Sequence, residues 1–131
     1  MSEAFPLATY PVHLGLGATV VREPRMTGME WYAAYSERHA KDGVEGRLVS
    51  FYTFTESWKS WEMHPKGEEL VVCVAGELVL HQEIDGAVVT TTLRAGDAIV
   101  NPRGVWHTAD ASAPATALFI TAGEGTEHRT R

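Results

Sequence analysis

The feature that most constrains the fold of this chain is a succession of short β-prone runs, each closed by a turn signal. Aromatic and β-branched residues fill the runs, and turns such as Asp85-Gly86 and the segment from Pro102 to Gly104 separate them. Many short strands at this spacing are typical of an antiparallel sandwich or barrel. The predicted strands are residues 48–54, 69–75, 78–84, 88–93, 98–101, 106–109 and 116–121.

One helix interrupts this pattern before the strands begin. Thr27 followed by Glu30 has the form of a capping box, so we predict a helix from about Met29 to Lys41. The tail, residues 123–131, is polar and is expected to be irregular. A length of 131 residues fits a single domain, residues 1–131, with a barrel core at about residues 45–122.

Composition excludes several classes of partner. Eleven Lys and Arg stand against 17 Asp and Glu, a formal net charge of −6, which disfavours nucleic acid and anionic membrane surfaces. The single cysteine, Cys73, lies in an apolar run, so a buried, inert thiol is expected. The first residues do not resemble a signal peptide and no apolar run has membrane-span length, so a cytoplasmic location is expected.

Four polar side chains lie at spacings that let them meet. Glu62 and His64 are two residues apart on a strand-like segment, so they share a face, with Cα atoms about 6.6 Å apart. If Glu69 and His107 come from neighbouring strands, about 4.8 Å away, all four frame a space for one divalent cation. The four residues, called the polar quartet below, are therefore predicted metal ligands.

The quartet belongs to two longer patterns. In the first, Glu62-x-His64 is followed after four residues by Glu69 and after six more by Gly76. In the second, Gly96 is followed after five residues by Pro102-x-Gly104 and after two more by His107. Together the patterns resemble the two motifs of the cupin family.

This resemblance implies a fold and a cofactor. It implies an all-β double-stranded β-helix, or jelly-roll barrel, usually a homodimer, that holds one iron, manganese, zinc or nickel ion. The chain departs from the motifs at Glu62, where the family usually has a histidine, and at Ala111, where an asparagine is frequent. With two carboxylates a divalent site has a formal charge of zero instead of +1, which favours harder ions such as Mn²⁺ or Fe²⁺.

Two other uses of the quartet stay open. His64, Glu69 and His107 alone form a two-histidine, one-carboxylate set with open positions, beside which Glu62 is free to act as a catalytic general base. Alternatively, the four side chains pair with one another in a site without metal.

These alternatives correspond to different functions. The first is a metal-dependent enzyme acting on a small polar metabolite by isomerase, lyase or dioxygenase chemistry. The second is a non-catalytic or metal-free cupin that binds a small ligand, and the third is a structural protein that uses its outer face. Fold alone does not choose among them.

Several residues outside the quartet carry weaker expectations. Trp61 and Met63 point away from the site face and are predicted to form a dimer interface. Residues His13, His39 and His128 show no partner at ligand spacing, and His81 is expected to be a surface histidine.

Overall fold

The structure, a computed structural model, describes residues 3–131. Strands dominate it, and one α-helix and a 3-10 segment precede the main run of strands. In chain order the elements are β1 (Val12–Gly15), β2 (Thr19–Arg22), α1 (Met29–Arg38), a 3-10 segment (Ala40–Glu45), β3 (Arg47–Phe54), β4 (Ser60–Met63), β5 (Glu69–Ala75), β6 (Glu77–Ile84), β7 (Ala87–Arg94), β8 (Ala98–Asn101), β9 (His107–Asp110), β10 (Ala115–Thr121) and β11 (Glu127–Thr130).

The strands form two antiparallel sheets. The first has the order β2-β1-β3-β10-β5-β8, and the second has the order β11-β4-β9-β6-β7. Consecutive strands β4 and β5, and again β9 and β10, lie in different sheets, so the chain winds back and forth between the two layers. This arrangement confirms the predicted all-β double-stranded β-helix.

The hydrophobic core lies between the two sheets. Alternate residues of each strand point inward, as the two-residue period of a strand requires. The buried apolar side chains that both sheets contribute are Val71, Cys73, Ala117 and Phe119 from the first sheet and Leu78, Leu80, Leu93 and Ala109 from the second. Cys73 is therefore a buried free thiol, as predicted, and burial raises its pKa.

Gly76 explains why the first motif ends in glycine. It joins β5 to β6 with a φ of 74°, in the left-handed region that glycine adopts at little cost. A Cβ atom there would lie 2.3 Å from the carbonyl oxygen of Pro114. Both the backbone angle and the close approach of the neighbouring loop therefore require glycine.

The seven strands predicted from the sequence are confirmed to within one residue at each end. The prediction of an irregular tail is wrong, because Glu127–Thr130 forms β11 along the edge of the second sheet. This strand escapes sequence patterning since all four of its residues are polar and exposed. The hairpin of β1 and β2 was also missed, although its short β-branched runs surround a glycine-containing turn.

The helix is confirmed in place but differs in length and cap. It ends at Arg38, and the 3-10 segment that follows is interrupted at Gly43, where φ is 57°. The predicted capping box is wrong: the N-cap residue is Gly28, which has no side-chain cap. No helix among the described residues is long and apolar enough to span a membrane.

A buried histidine ties the helical segment to the barrel. His13 of β1 is 2% exposed, and its Nδ1 lies 2.6 Å from the Tyr35 hydroxyl while its Nε2 lies 2.5 Å from an Asp42 carboxylate oxygen. Sequence spacing gives His13 no partner, because its partners in the fold lie 22 and 29 residues away.

A buried carboxylate makes a second tie. Glu23, 2% exposed, contacts Arg38 at 2.8 Å and His39 at 2.9 Å. The His39 ring also stacks on His13, with ring centroids 3.6 Å apart. Sequence spacing also gives His39 no partner, since Glu23 lies 16 residues away. Through Glu23, the chain is fixed at Arg38, the last residue of α1, and at His39, which follows it.

Candidate metal and ligand site

The fold brings the predicted polar quartet together inside the barrel. Glu62 lies on β4 and His107 on β9, and the two are direct cross-strand neighbours. His64 follows β4 by one residue, and Glu69 begins β5 on the opposite sheet. His107 is fully buried, His64 and Glu69 are at most 5% exposed, and Glu62 is half-buried.

Glu69 lies between the two imidazoles. His64 Nε2 is 3.2 Å from Glu69 Oε2, and His107 Nε2 is 3.3 Å from Glu69 Oε1. Glu62 Oε2 is farther out, 3.9 Å from His107 Nε2. The ligand atoms of Glu62, His64 and His107 all lie within 4.8 Å of one another. Donors bound to one ion at about 2.1 Å are separated by about 3.0–3.5 Å, so the inner contacts have the spacing of a ligand set.

The two buried Nε2 atoms test whether a metal ion fits these residues. Among the described residues, neither His64 Nε2 nor His107 Nε2 makes a hydrogen bond, despite the nearby Glu69 oxygens. Each Nδ1 is held instead from outside, that of His64 by the Thr126 hydroxyl at 2.8 Å and that of His107 by the Val105 carbonyl at 3.3 Å. Imidazoles held in this way present Nε2 to a common centre, which suits a divalent transition metal.

A buried network supports Glu69 from behind. The Thr121 hydroxyl donates to Glu69 Oε2 at 2.6 Å, and the Asn101 amide donates to Glu69 Oε1 at 2.9 Å. Gln82 in turn donates to Asn101 Oδ1 at 2.7 Å. No local sequence pattern marks these supporting residues, since only the strand register places Asn101 and Thr121 beside Glu69.

Electrostatics keep Glu69 ionised. Burial by itself would raise the pKa of the Glu69 carboxyl, yet its interactions with His107 and His64 hold that pKa well below the usual range. Burial alone would lower the pKa of His64, but the nearby carboxylates of Glu69 and then Glu62 outweigh this effect and raise that pKa. A metal ion that enters the site therefore has to displace protons, so metal affinity is expected to fall at low pH.

The edge strand β11 places His128 beside Glu62. The two residues are cross-strand partners, and His128 Nε2 lies 3.1 Å from Glu62 Oε1. Sequence spacing gives His128 no partner, because Glu62 lies 66 residues away and is brought next to it only by the pairing of β11 with β4. One carboxylate oxygen of Glu62 thus lies toward His107, and the other contacts His128.

The same strand covers the surface that was predicted to form a dimer interface. Trp61 and Met63 are half-buried, and the Arg129 guanidinium lies 5.2 Å from the Trp61 ring and 4.7 Å from the Trp106 ring. On the outer side of β6, His81 pairs with Asp110 at 2.6 Å and with Thr90 at 2.8 Å, away from the quartet.

A cavity of about 970 Å³ opens between the quartet and the helical segment. Tyr32 and Tyr35 of α1 line one side, and Glu62, His64 and Glu69 line another. The volume lies at the upper end of the usual range for small-molecule sites. The quartet therefore borders a space large enough for an organic ligand.

Comparison with solved structures agrees with the fold. A Klebsiella pneumoniae protein with a double-stranded β-helix domain is 21% identical, with a TM-score of 0.53, and the match covers 65% of this chain and 76% of that one. A cupin-2 domain protein of Shewanella frigidimarina is 23% identical, with a TM-score of 0.50 and coverage of 57% and 69%. At these identities the likeness shows the fold alone.

An enzyme structure also matches over part of its length. Hydroquinone 1,2-dioxygenase of Sphingomonas sp. TTNP3, solved with 4-hydroxybenzoate, is 18% identical, with a TM-score of 0.48 and coverage of 57% of this chain. The present chain spans 59% of that enzyme's chain. No protein of curated function matches the sequence.

The family model of the cupin domain matches residues 54–123. The matched region begins at the end of β3 and includes the polar quartet and the core strands β5 to β10. Since this match covers more than half of the sequence, the chain belongs to the cupin domain family.

Proposed function

We propose that this protein is a metal-dependent cupin enzyme acting on a small molecule in the cavity. The observation that carries the proposal is the pair of buried Nε2 atoms of His64 and His107, which face the Glu69 carboxylate without hydrogen bonds. The contacts of these atoms with Glu69 are 3.2 and 3.3 Å long, and a metal ion between the three side chains would give each Nε2 atom a direct partner.

His64, Glu69 and His107 are the proposed inner ligands. Their contacts of 3.2 and 3.3 Å are shorter than the 3.9 Å between Glu62 and His107, and Glu62 is also the most exposed of the four. Glu62 either completes the ligand set or stands beside it. Its second contact, with His128, favours the position beside the ion.

In that position Glu62 is the proposed general base. A divalent ion, when bound, supplies Lewis acidity that polarises a substrate oxygen. Glu62 accepts a proton from the substrate on its carboxylate oxygen Oε2, which lies toward His107. His128 contacts the other oxygen, Oε1, and so orients the carboxylate. Proton abstraction of this kind serves isomerase and lyase reactions, and open ligand positions also suit dioxygenase chemistry.

Ligand chemistry narrows the choice of ion. Two imidazoles with one carboxylate suit several first-row metals, and a second carboxylate, with Glu62 in the ligand set, would favour manganese or iron over zinc or nickel. Hydrogen bonds from Thr121 and Asn101 hold the Glu69 carboxylate in place for any of them.

A Glu62→Gln variant tests the catalytic role. We expect turnover to fall by about 10²- to 10⁴-fold across a panel of carbonyl and hydroxyl compounds, because the general base is lost while the shape of the side chain is kept. Product formation and oxygen uptake are measured with protein loaded with each of the four metals, with Lys66→Gln, a change at an exposed residue, as the control. Turnover that survives Glu62→Gln with its pH profile unchanged would contradict this role.

The alternative is a cupin that binds a ligand without transforming it. The size of the cavity, which extends from the quartet to α1, is the observation that favours it. A pure binding protein would show saturable ligand binding with no product under any metal.

We further propose a homodimer that uses the outer face of the first sheet. Strand register aligns Phe51, Leu118 and Val72 in one apolar row across β3, β10 and β5. Ile120, Leu70 and Val100 form a parallel row, and Val100 is 48% exposed. A continuous apolar face of this kind favours contact with a second copy. The face around Trp61 is less suited, because Arg129 covers it.

A further inference from the structure

The cavity wall next to the quartet is aromatic. Phe54, Trp58 and Phe119 pack on one another with ring centroids 5.5 to 6.0 Å apart, and Tyr52 lies 6.4 Å from Phe119. All four residues line the cavity, and we call them the aromatic wall. They are continuous with the predicted metal site, because the Trp58 ring lies 6.2 Å from the His107 ring at an angle of 66°.

Two tyrosine hydroxyls on the cavity lining contact each other. The Tyr32 hydroxyl of α1 lies 2.9 Å from the Tyr52 hydroxyl of β3. Burial, and then the contact with Tyr52, raise the pKa of Tyr32, so its hydroxyl stays protonated and uncharged. The pair offers hydrogen bonds to a polar substituent of a ligand in the cavity.

The charged groups around the cavity are mostly acidic. The lining has four carboxylates, Glu56, Glu62, Glu69 and Glu124, and one ammonium, Lys59. With the four lining histidines counted as neutral, the formal charge is −3, and a divalent ion would change it to −1. Lys59 already lies 3.6 Å from Glu56, and among residues 3–131 the cavity lining contains no arginine. An anionic ligand therefore lacks the bidentate cation that usually binds a carboxylate or phosphate.

We propose that the substrate is an uncharged aromatic molecule whose ring packs on the aromatic wall and whose oxygen substituent points to the quartet. This inference rests on the proposed function, because it names the substrate class of the same site. The substrate expected from the sequence is a small polar metabolite, and here it is specified as one whose polar atoms are substituents of an aromatic ring.

Three matched probes test the substrate class directly. We expect 4-methylphenol to bind about tenfold more tightly than 4-methylcyclohexanol, which has no π system, and at least about tenfold more tightly than the 4-hydroxybenzoate anion. Calorimetry gives all three affinities, on the metal-loaded protein and on the same protein after treatment with a chelator. Equal binding of the saturated alcohol, or tighter binding of the anion, would overturn the inference.

Substitutions separate the ring contact from the charge. Phe54→Leu is expected to weaken 4-methylphenol about threefold to tenfold and to leave 4-methylcyclohexanol unchanged. Phe51→Leu, on the opposite face of the same strand, is the control. Glu124→Lys is expected to improve 4-hydroxybenzoate binding at least about threefold and to leave 4-methylphenol unchanged. Identical effects of Phe54→Leu and Phe51→Leu would contradict ring packing on the wall.

The outcomes distinguish this inference from the function on which it rests. If the protein binds a metal ion but shows no preference for 4-methylphenol, the proposed metal site stands and the aromatic substrate class is contradicted. If the protein binds 4-methylphenol selectively but takes up no metal, the ligand class stands and the metal-dependent function is contradicted.

Discussion

The contacts of Glu69 explain why its side chain is well placed for metal binding. Its carboxylate faces His64 and His107 on one side and receives hydrogen bonds from Thr121 and Asn101 on the other. A buried carboxylate held from both sides has little rotational freedom left to lose when an ion binds. We therefore expect the residues behind Glu69 to affect metal affinity although they are not themselves predicted ligands.

A Thr121→Val substitution tests this support. It removes the 2.6 Å hydrogen bond to Glu69 and keeps the shape of the side chain, so we expect metal affinity to fall about 10- to 100-fold. Competition with a chromogenic chelator measures the affinity. Thr90→Val, which removes a hydrogen bond to His81 far from the site, is the matched control. Equal affinities in the two variants would contradict a supporting role for Thr121.

At this scale the sequence predicts residues that belong to a local pattern and misses those joined by strand register. Spacing within a strand placed Glu62 beside His64, and the motifs placed Glu69 and His107 near them. Asn101 reaches Glu69 because β8 pairs with β5 in one register, which no local pattern encodes. The role of the quartet as metal ligands stays a prediction.

The edge strand β11 shows how a polar element is held in place. It has no apolar face, and its contacts are charged: Arg129 lies over two indole rings, and the neighbouring Arg131 donates to Asp110 at 2.7 Å. These contacts hold His128 beside Glu62. Sequence periodicity cannot find such a strand, because its position depends on partners 21 to 66 residues away.

The ion pair of Asp110 makes the stability of this edge dependent on pH. The hydrogen bond from Arg131, followed by that of His81, holds the pKa of Asp110 well below its usual value of about 4. Because the folded-state pKa is lowered, the stabilisation is present above the unfolded-state pKa and is lost as pH falls toward the folded-state value.

We therefore expect Asp110→Asn to lower the free energy of unfolding at neutral pH, with a difference from wild type that shrinks below about pH 4. Urea denaturation from pH 3 to pH 8 measures this difference, with Glu37→Gln at an exposed helix position as the control. A difference that stays constant or grows on acidification would show that Asp110 does not stabilise the edge as an ionised group.

At the level of the whole molecule, the two faces of the first sheet differ in what they contact. Its inner face supplies core residues and three of the four residues of the aromatic wall, and its outer face presents apolar rows across β3, β10 and β5. The α1 segment, fixed through His13 and Glu23, covers the cavity side. The overall fold was predictable because turn spacing and motifs repeat along the chain, whereas the position of α1 depends on buried polar contacts between distant residues.

The apolar outer face leads to a prediction about assembly. Val72→Glu places a charge in the centre of that face, and we expect it to weaken dimer association by at least about 100-fold. Sedimentation or light scattering measures the mass, and Val88→Glu, at a 55% exposed position on β7, is the control. A wild-type monomer, or a Val72→Glu dimer as stable as the wild type, would contradict this interface.

Elemental analysis shows whether the polar quartet holds a metal ion. The protein is purified without chelator and without a metal-binding tag, beside His64→Ala and the control His81→Ala. We expect about one divalent transition metal per chain in the wild type and in His81→Ala, and a loss of that metal in His64→Ala. A wild-type protein that carries no metal and binds none on titration would contradict the account.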